Sequence, residues 1–383
     1  MASRKRIGLY YESYSNLPAF VIYMQNLVRT LLLTPDIEKP HLVILHLPDS
    51  PVDELKRINY PYIEFYMLKD VYKSLSKRLV NKVSRKLISK NISPFFDKTF
   101  PNNLDTIFPY NFRPESNYVK NKIIWKPDFQ EFHLPIYFSA QELEEHKTYL
   151  DGISKTKVKL VLSSQDSKRD YERYYPNHVN DIHIWPFTSF LPDYSKVNIN
   201  DLLKKYAVSK KYFVVANQFW PHKNHLNVLK ALLECTERSK DFQIVFTGKQ
   251  KSSRDKDLFL KLKTFIAHNG LTEQVVFTGF IEREEQIALM ANSIAVIQPS
   301  TFEGWSTVIE DCKALNHFVV ASHLSVNKEQ IKENVFFFDP YNYKELSSII
   351  LNLLQKPPQK RNFNYYKDIE TFNKVITKSL NAS

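Results

Sequence analysis

IAVIQPSTFEGWSTVIEDCKAL, residues 294–315, runs from an apolar segment through a short polar turn into a second patterned stretch. IAVIQPS has the length and composition of a buried strand, and the residues through Cys312 and Ala314 read as a helix. Strand, loop and helix in that order are part of a parallel βαβ unit, whose ligands sit beyond the carboxyl ends of the strands. The intervening loop is therefore where chemistry is expected. It holds Glu303, Gly304, Trp305, Ser306 and Thr307, with Glu310 and Asp311 following on the helix. Gly304 permits close backbone approach, Ser306 or Thr307 can cap the helix, and the amides of residues 305–307 can point at a ligand. Beside those amides, Glu303 is suited to accept hydrogen bonds from a polyhydroxylated ligand. Either Glu310 or Asp311 can hold a ribose diol.

The same rhythm extends outward in both directions. Downstream of 211, strands are expected at YFVVAN (212–217), FQIVFTG (242–248), VVFTGF (275–280) and HFVVAS (317–322). Helices are expected at 225–239, 256–270, 283–293 and 343–354. The first half reads alike, with strands at RIGLYY (6–11), LVILHL (42–47), YIEFYML (62–68), TIFP (106–109), KIIW (122–125), KLVLSS (159–164) and DIHIWPF (181–187). Helices over 19–33 and 165–175 lie between them. The polar, Pro-bearing segment 188–211 reads as a linker. The expected fold is α/β, with two doubly wound Rossmann-like domains facing each other across a cleft, as suits 383 residues.

A second strand-end loop, NQFWPHKNH (217–225), places Lys223 and the amides of the following helix above the sheet, which is an anion site by geometry. Net charge is +12, which favours an anionic partner. Much of it lies in KDVYKSLSKRLVNKVSRKLISK (69–90), where eight basic residues face one acidic residue and Val71, Leu75, Leu79, Val83 and Leu87 recur every fourth position. This pattern is that of an amphipathic helix able to lie on an anionic membrane surface. No aromatic platform accompanies it, so nucleic acid is not expected. The two cysteines exclude a disulfide framework and a Cys-based zinc site. The D-x-D of RDKDLF (254–259) reads as helix capping rather than as a metal site. The opening MASRKRIGLYYESY lacks the apolar centre of a signal peptide, and a reducing cytoplasm is the expected setting, with attachment to the inner membrane face through 69–90.

Taken together, SSQDSKRDYERYYP, DFQEFHLPIYFS, NQFWPHKNH and VVFTGFIEREEQIALMANSIAVIQPSTFEGWSTVIEDCKAL resemble glycosyltransferase family 4, retaining enzymes of GT-B architecture, over about residues 106–354. The resemblance implies an acceptor-binding domain at 1–187, a donor-binding domain at 212–360 and a terminal segment, 361–383, returning to the first domain. The donor would be a nucleoside diphosphate sugar, bound as substrate with no cofactor and no metal. The acceptor would be a glycan or lipid-linked saccharide. In the family, two carboxylates separated by seven residues bind the donor sugar and the ribose; here these places are Glu303 and Asp311, with Glu310 one residue early. The family's Arg and Lys that neutralise the diphosphate fall on Gln218 and Lys223, leaving His222, Lys249 or helix amides to replace the Arg. On the acceptor side Asp128 matches a position near the reacting centre, Pro127 replaces the family's His, and His133 is the remaining polar candidate. Front-face attack is implied, with Lys223 stabilising the departing diphosphate. The missing Arg and His, and SYSNLPAF (13–20) standing where the family has a glycine pair after the first strand, leave a non-catalytic scaffold of this fold as the alternative, and a nucleic-acid binder as a third.

Overall fold

The computed structural model describes residues 4–11, 18–68 and 100–381; the basic stretch 69–90 lies outside them. Two all-parallel sheets organise the chain. The first contains β1 (Arg6–Tyr11), β2 (His41–His46), β3 (Ile63–Met67), β4 (Thr106–Phe108), β5 (Asn121–Trp125), β6 (Lys159–Leu162) and β7 (Asp181–Ile184). The second contains β8 (Lys211–Ala216), β9 (Phe242–Thr247), β10 (Val275–Gly279), β11 (Val296–Gln298), β12 (Val319–Ser322) and β13 (Val335–Phe338). Their orders are β3-β2-β1-β4-β5-β6-β7 and β10-β9-β8-β11-β12-β13. Winding therefore reverses between β1 and β4 in one sheet and between β8 and β11 in the other. A crevice opens at the carboxyl ends of such neighbours.

The continuous apolar runs make sense because both faces of each sheet are covered. In β2, Leu42 and Ile44 pack with Tyr23, Leu27 and Leu31 of helix Pro18–Leu32. Val43 and Leu45 face the other way, into the cluster that holds Leu104 and Ile107. The helix Ala140–Ser154, not anticipated from periodicity, buries only Leu150, Ile153 and Ser154. Its signal is local instead: Ser139 accepts from the Glu142 amide and Glu142 returns to the Ser139 amide, a full capping box. The edge strand β13, VFFF, was also unanticipated, being a short run that periodicity alone does not assign.

The expectation of a bare linker at 188–211 needs correction. Helix Ile199–Lys205 forms within it, and Leu202 and Val208 are buried with Val214, Ile287 and Met290 of the second core. The segment joins that core through its apolar residues, with Leu191, Val197, Ile199 and Leu203 packed beside the buried pair. The chain returns at helix Tyr366–Asn381, whose Phe372, Ile376 and Leu380 are buried in the first core beside Trp185 and Phe108. Thr106 Oγ1 donates to the Leu380 carbonyl at 2.8 Å, and Asn373 Nδ2 to the Thr30 carbonyl at 2.6 Å.

Polar contacts tie the halves together near the crevice. The backbone N–H groups of Gln165 and Asp166 donate to the Glu329 carboxylate at 2.8 and 3.2 Å, so a carboxylate from the second half caps a helix of the first. Arg254 pairs with Glu142 at 2.8 Å, and Gln130 Nε2 donates to His222 Nδ1 at 2.8 Å. Because Ile376 is fully buried in the first core, Ile376→Ala is expected to cost about 2–5 kcal/mol by leaving a cavity. Urea unfolding followed by circular dichroism checks this: the midpoint should fall.

Candidate active site

The reversal between β8 and β11 fixes the loops that follow them. Asn217, just beyond β8, donates from Nδ2 to Gln298 Oε1 at 2.7 Å. Gln298, fully buried at the end of β11, donates onward to Glu303 Oε1 at 2.7 Å and to Ser306 Oγ at 3.1 Å. Lys223 Nζ meets the same Glu303 oxygen at 2.6 Å. Ser306 caps the helix Thr307–Ala314 by accepting from the Ile309 amide at 3.3 Å. Gly248, with φ of +132°, brings the β9 loop so near that a Cβ there would lie 2.4 Å from the Asn217 carbonyl oxygen. Only glycine fits.

The neighbouring carboxylates Glu310 and Asp311 have separate fates. Glu310 is fully buried and off the cavity wall, receiving Lys313 at 2.8 Å, Gln330 at 2.9 Å and the Tyr365 hydroxyl at 2.6 Å. Burial pushes its pKa up, with Lys313 opposing. Asp311 does line the cavity, where its Oδ1 accepts from Ser189 Oγ at 2.6 Å and from the Arg283 guanidinium. Glu310 as a donor-binding residue is thus corrected, and Asp311 is the second carboxylate of the site. One step along a helix turns a side chain by about 100°, so adjacent residues cannot share a face.

Arg283 also lines the cavity and was missed. It opens the helix that follows β10, the same strand-end position that drew attention to Lys223. Of the groups proposed to replace the family's Arg, His222 lies on the wall but is neutral, burial holding its pKa down to about 2. Lys249 is not on the wall; its ammonium sits 5.2 Å from the Phe280 ring centre. Both are corrected as sources of positive charge at the site. Gln218, Gly304, Trp305, Ser306 and Thr307 are all on the wall. Trp305 Nε1 donates across to the Phe187 carbonyl at 3.0 Å.

The first sheet supplies the opposite wall. Asp128, three residues beyond β5, packs so tightly on Gly304 that a Cβ there would lie 2.5 Å from its own Cβ. Burial pushes the Asp128 pKa up, with Lys126 opposing. His133 is corrected as an acceptor-side group: it is off the wall and pairs with Asp170 at 2.7 Å, which raises its pKa. The cavity measures about 490 Å³, within the range of small-molecule sites. Among the described residues no group of three or more His, Cys, Asp or Glu side chains is placed to hold a metal, and no helix is long and apolar enough to cross a membrane. Asp255 of the D-x-D is occupied by Lys261 at 2.9 Å and by the Asp257 amide at 3.0 Å.

Comparison with known proteins bears on the fold and on the family resemblance. Residues 200–368 match the family described as Glycosyl transferases group 1. Across the whole chain, the Anabaena protein HepE, solved in complex with UDP and glucose, superposes with a TM-score of 0.68 at 17% identity, covering 98% of this chain and 99% of that one. The fold is GT-B, and the match to the group 1 glycosyltransferase family falls on its second half. Another GT-B relative in structure, a glycosyltransferase from Rickettsia africae, gives a TM-score of 0.63 at 16% identity over 99% of this chain and 94% of its own. The O-antigen chain mannosyltransferase RfbU of Salmonella typhimurium is 25% identical over 173 residues, 45% of this chain. The GT-B chain spans about half, 46%, of that curated relative's length.

Two consequences can be measured. Gly304→Ala should force Asp128 and the motif loop apart, and a displacement of about 1 Å at a reacting centre costs roughly 100-fold in rate; initial rates compared with the melting midpoint separate this from unfolding. His222, His225 and His317 are each held neutral by burial, with pKa values lowered to about 2, 3 and 3. Below an ordinary histidine pKa of about 6.5 the unfolded chain binds protons that the native state refuses. Their contribution is thus complete above about pH 6.5 and should be lost toward about pH 3, at on the order of 1 kcal/mol per pH unit per histidine. Denaturant midpoints measured from pH 7 to pH 4 check the sign.

Proposed function

We propose that this chain transfers a sugar from a nucleoside diphosphate sugar to a glycan or lipid-linked saccharide acceptor, with retention of anomeric configuration, in cell-surface polysaccharide synthesis. The observation that carries the reading is the pair of cation–carboxylate contacts in one cavity, Lys223 with Glu303 and Arg283 with Asp311. A ligand able to engage all four groups must carry both anionic oxygens and hydroxyl groups. A nucleoside diphosphate sugar has that composition: its diphosphate suits the cations, and its sugar and ribose hydroxyls suit the carboxylates. Support also comes from the group 1 match over 200–368, from the similarity to an O-antigen mannosyltransferase, and from a structural relative solved with UDP and glucose.

In the proposed step an acceptor hydroxyl oxygen forms a bond to the anomeric carbon while the bond from that carbon to the diphosphate oxygen breaks. The bonding electrons leave with the nucleoside diphosphate, and the hydroxyl proton passes to its newly freed oxygen on the same face. Lys223 and the amides opening helix Thr307–Ala314 stabilise the charge that develops there. Glu303 holds the donor sugar, Asp311 holds the ribose, and Asp128 faces the acceptor. No redox or carrier cofactor is needed for this exchange.

The test is nucleotide release from UDP-, GDP- and ADP-sugars, with product configuration read by NMR. Turnover with one donor, reduced roughly 100- to 1,000-fold by Lys223→Ala or Glu303→Gln, is the expected result. Nucleotide binding without turnover would instead support a non-catalytic GT-B scaffold. Folded protein that neither binds nor turns over any donor would end both readings.

A further inference from the structure

We propose that a second cavity, behind the helix that carries Asp311, binds one saccharide ring and through it tunes the donor site. It measures about 200 Å³ and lies between helix Thr307–Ala314, the turn at 329–334 and the segment that returns to the first domain. Lys313, Asn316, Lys332, Glu333, Phe363 and Asp368 line it, and none of these six lines the donor cavity. The effect on the donor site rests on the glycosyl-transfer reading above; the cavity and its chemistry stand apart from it.

Size and wall chemistry select the occupant. At about 200 Å³ the cavity falls below the ~300–1,000 Å³ of sites for drug-sized ligands, so it suits a single ring and excludes a nucleotide. Unused donors alternate with unused acceptors along the wall. Lys313 Nζ gives two of its three N–H groups to Glu310 at 2.8 Å and to Asp368 Oδ2 at 2.9 Å, which leaves one N–H and the Asp368 Oδ1. Glu333 pairs through Oε2 with Arg361 at 2.9 Å, which leaves Oε1. Asn316 Nδ2 makes one long bond, 3.4 Å to Asn362 Oδ1, of the two it can donate. A phosphate only accepts, and would lie against the carboxylates of Glu329, Glu333 and Asp368; an ammonium only donates, and would lie against Lys313 and Lys332. A hydroxyl group does both and carries no charge, so a ring of hydroxyls matches this wall. The Phe363 ring adds a face on which the C–H groups of a pyranose can pack.

Two further wall residues connect the cavity to the donor site. Gln330 accepts from the Ser306 amide at 3.0 Å and donates to the Ser306 carbonyl at 2.7 Å, so it holds the residue that caps helix Thr307–Ala314. Glu329 receives the Gln165 and Asp166 amides of the first domain. A ring bound between Lys313 and Asp368 ties this helix to the returning segment, while Asp311 on the same helix lines the donor cavity. A ligand that steadies the helix lowers the ordering that the nucleotide must impose, so the two bind with positive coupling.

The experiment titrates the full chain, with saturating UDP or GDP, against glucose, mannose, galactose and their methyl glycosides, and reads binding by saturation-transfer NMR. At least one sugar should bind the wild type. A component of that binding should survive Glu303→Gln, which impairs the donor-sugar site. The same component should weaken about tenfold when Lys332→Ala and Glu333→Ala are combined, neither side chain being buried. A methyl glycoside that binds as well as its free hexose marks a glycan end as the source, and preference for the free hexose marks free sugar; either pattern supports the site. In the reverse titration the sugar should tighten UDP or GDP binding about fivefold in the wild type and not in the double variant. Absence of sugar binding, or binding lost in Glu303→Gln and indifferent to the double substitution, would overturn the site. Inorganic phosphate that displaces the sugar would overturn its chemistry, and nucleotide affinity unmoved by sugar would overturn the coupling. Failure of the glycosyl-transfer reading shows separately, as wild-type protein that binds a hexose but neither UDP nor GDP.

Discussion

Glu303 is a largely buried carboxylate at the end of a parallel sheet, and the site is built around making that burial tolerable. A charge removed from water needs a partner and hydrogen bonds to its remaining lone pairs. Lys223 supplies the first and Gln298 the second, both to the same oxygen. Gln298 can do so only because Asn217 holds its amide oxygen from the neighbouring strand. That contact exists because β8 and β11 are adjacent at the reversal of the sheet. Topology, a three-residue polar ladder and one ion pair therefore form a single construction.

The construction recurs with different parts. Asp311 takes Arg283 and Ser189 much as Glu303 takes Lys223 and Gln298. In both cases a cation from another strand-to-helix connection of the second sheet is held on a carboxylate of the motif. Neither pair is a dead end for function. On the proposed function, a ligand bearing phosphates and hydroxyls takes over each half of each pair, so the energy of the resting contacts is exchanged rather than forfeited.

The strands and the principal helices were legible because their apolar runs are buried on both faces, and burial on both faces leaves a continuous signature. The cavity positions of Glu303 and Lys223 were legible because the loops after parallel strands open into the crevice at the strands' carboxyl ends. Arg283 obeys the same rule and was available to it. Glu310 and Asp311 were not separable by sequence, since choosing between adjacent helical residues requires the helix orientation. His222 misled because its type suggests charge while its burial denies it. The helix inside 188–211 escaped because it is only seven residues long, although Leu202 is buried and Ile199 and Leu203 pack beside it on the second core. Contacts such as Glu329 with the amides of Gln165 and Asp166 join positions about 160 residues apart and leave no local trace.

The division of labour between Glu310 and Asp311 also explains why two carboxylates stand side by side. The chain crosses between domains twice, near Ser189 and again near Tyr365. Both crossings end on this helix. The Tyr365 hydroxyl accepts from the Ser189 amide at 2.6 Å and donates to Glu310 at 2.6 Å, while Ser189 Oγ donates to Asp311 at 2.6 Å. Trp305, one turn earlier, reaches the Phe187 carbonyl at 3.0 Å. Glu310 thus fastens both crossover segments to the helix whose other face presents Asp311 to the cavity. Its burial is compensated by Lys313, itself paired with Asp368 of the returning helix at 2.9 Å. Asp311 and the two crossings are thus joined by the same short helix and the same serine.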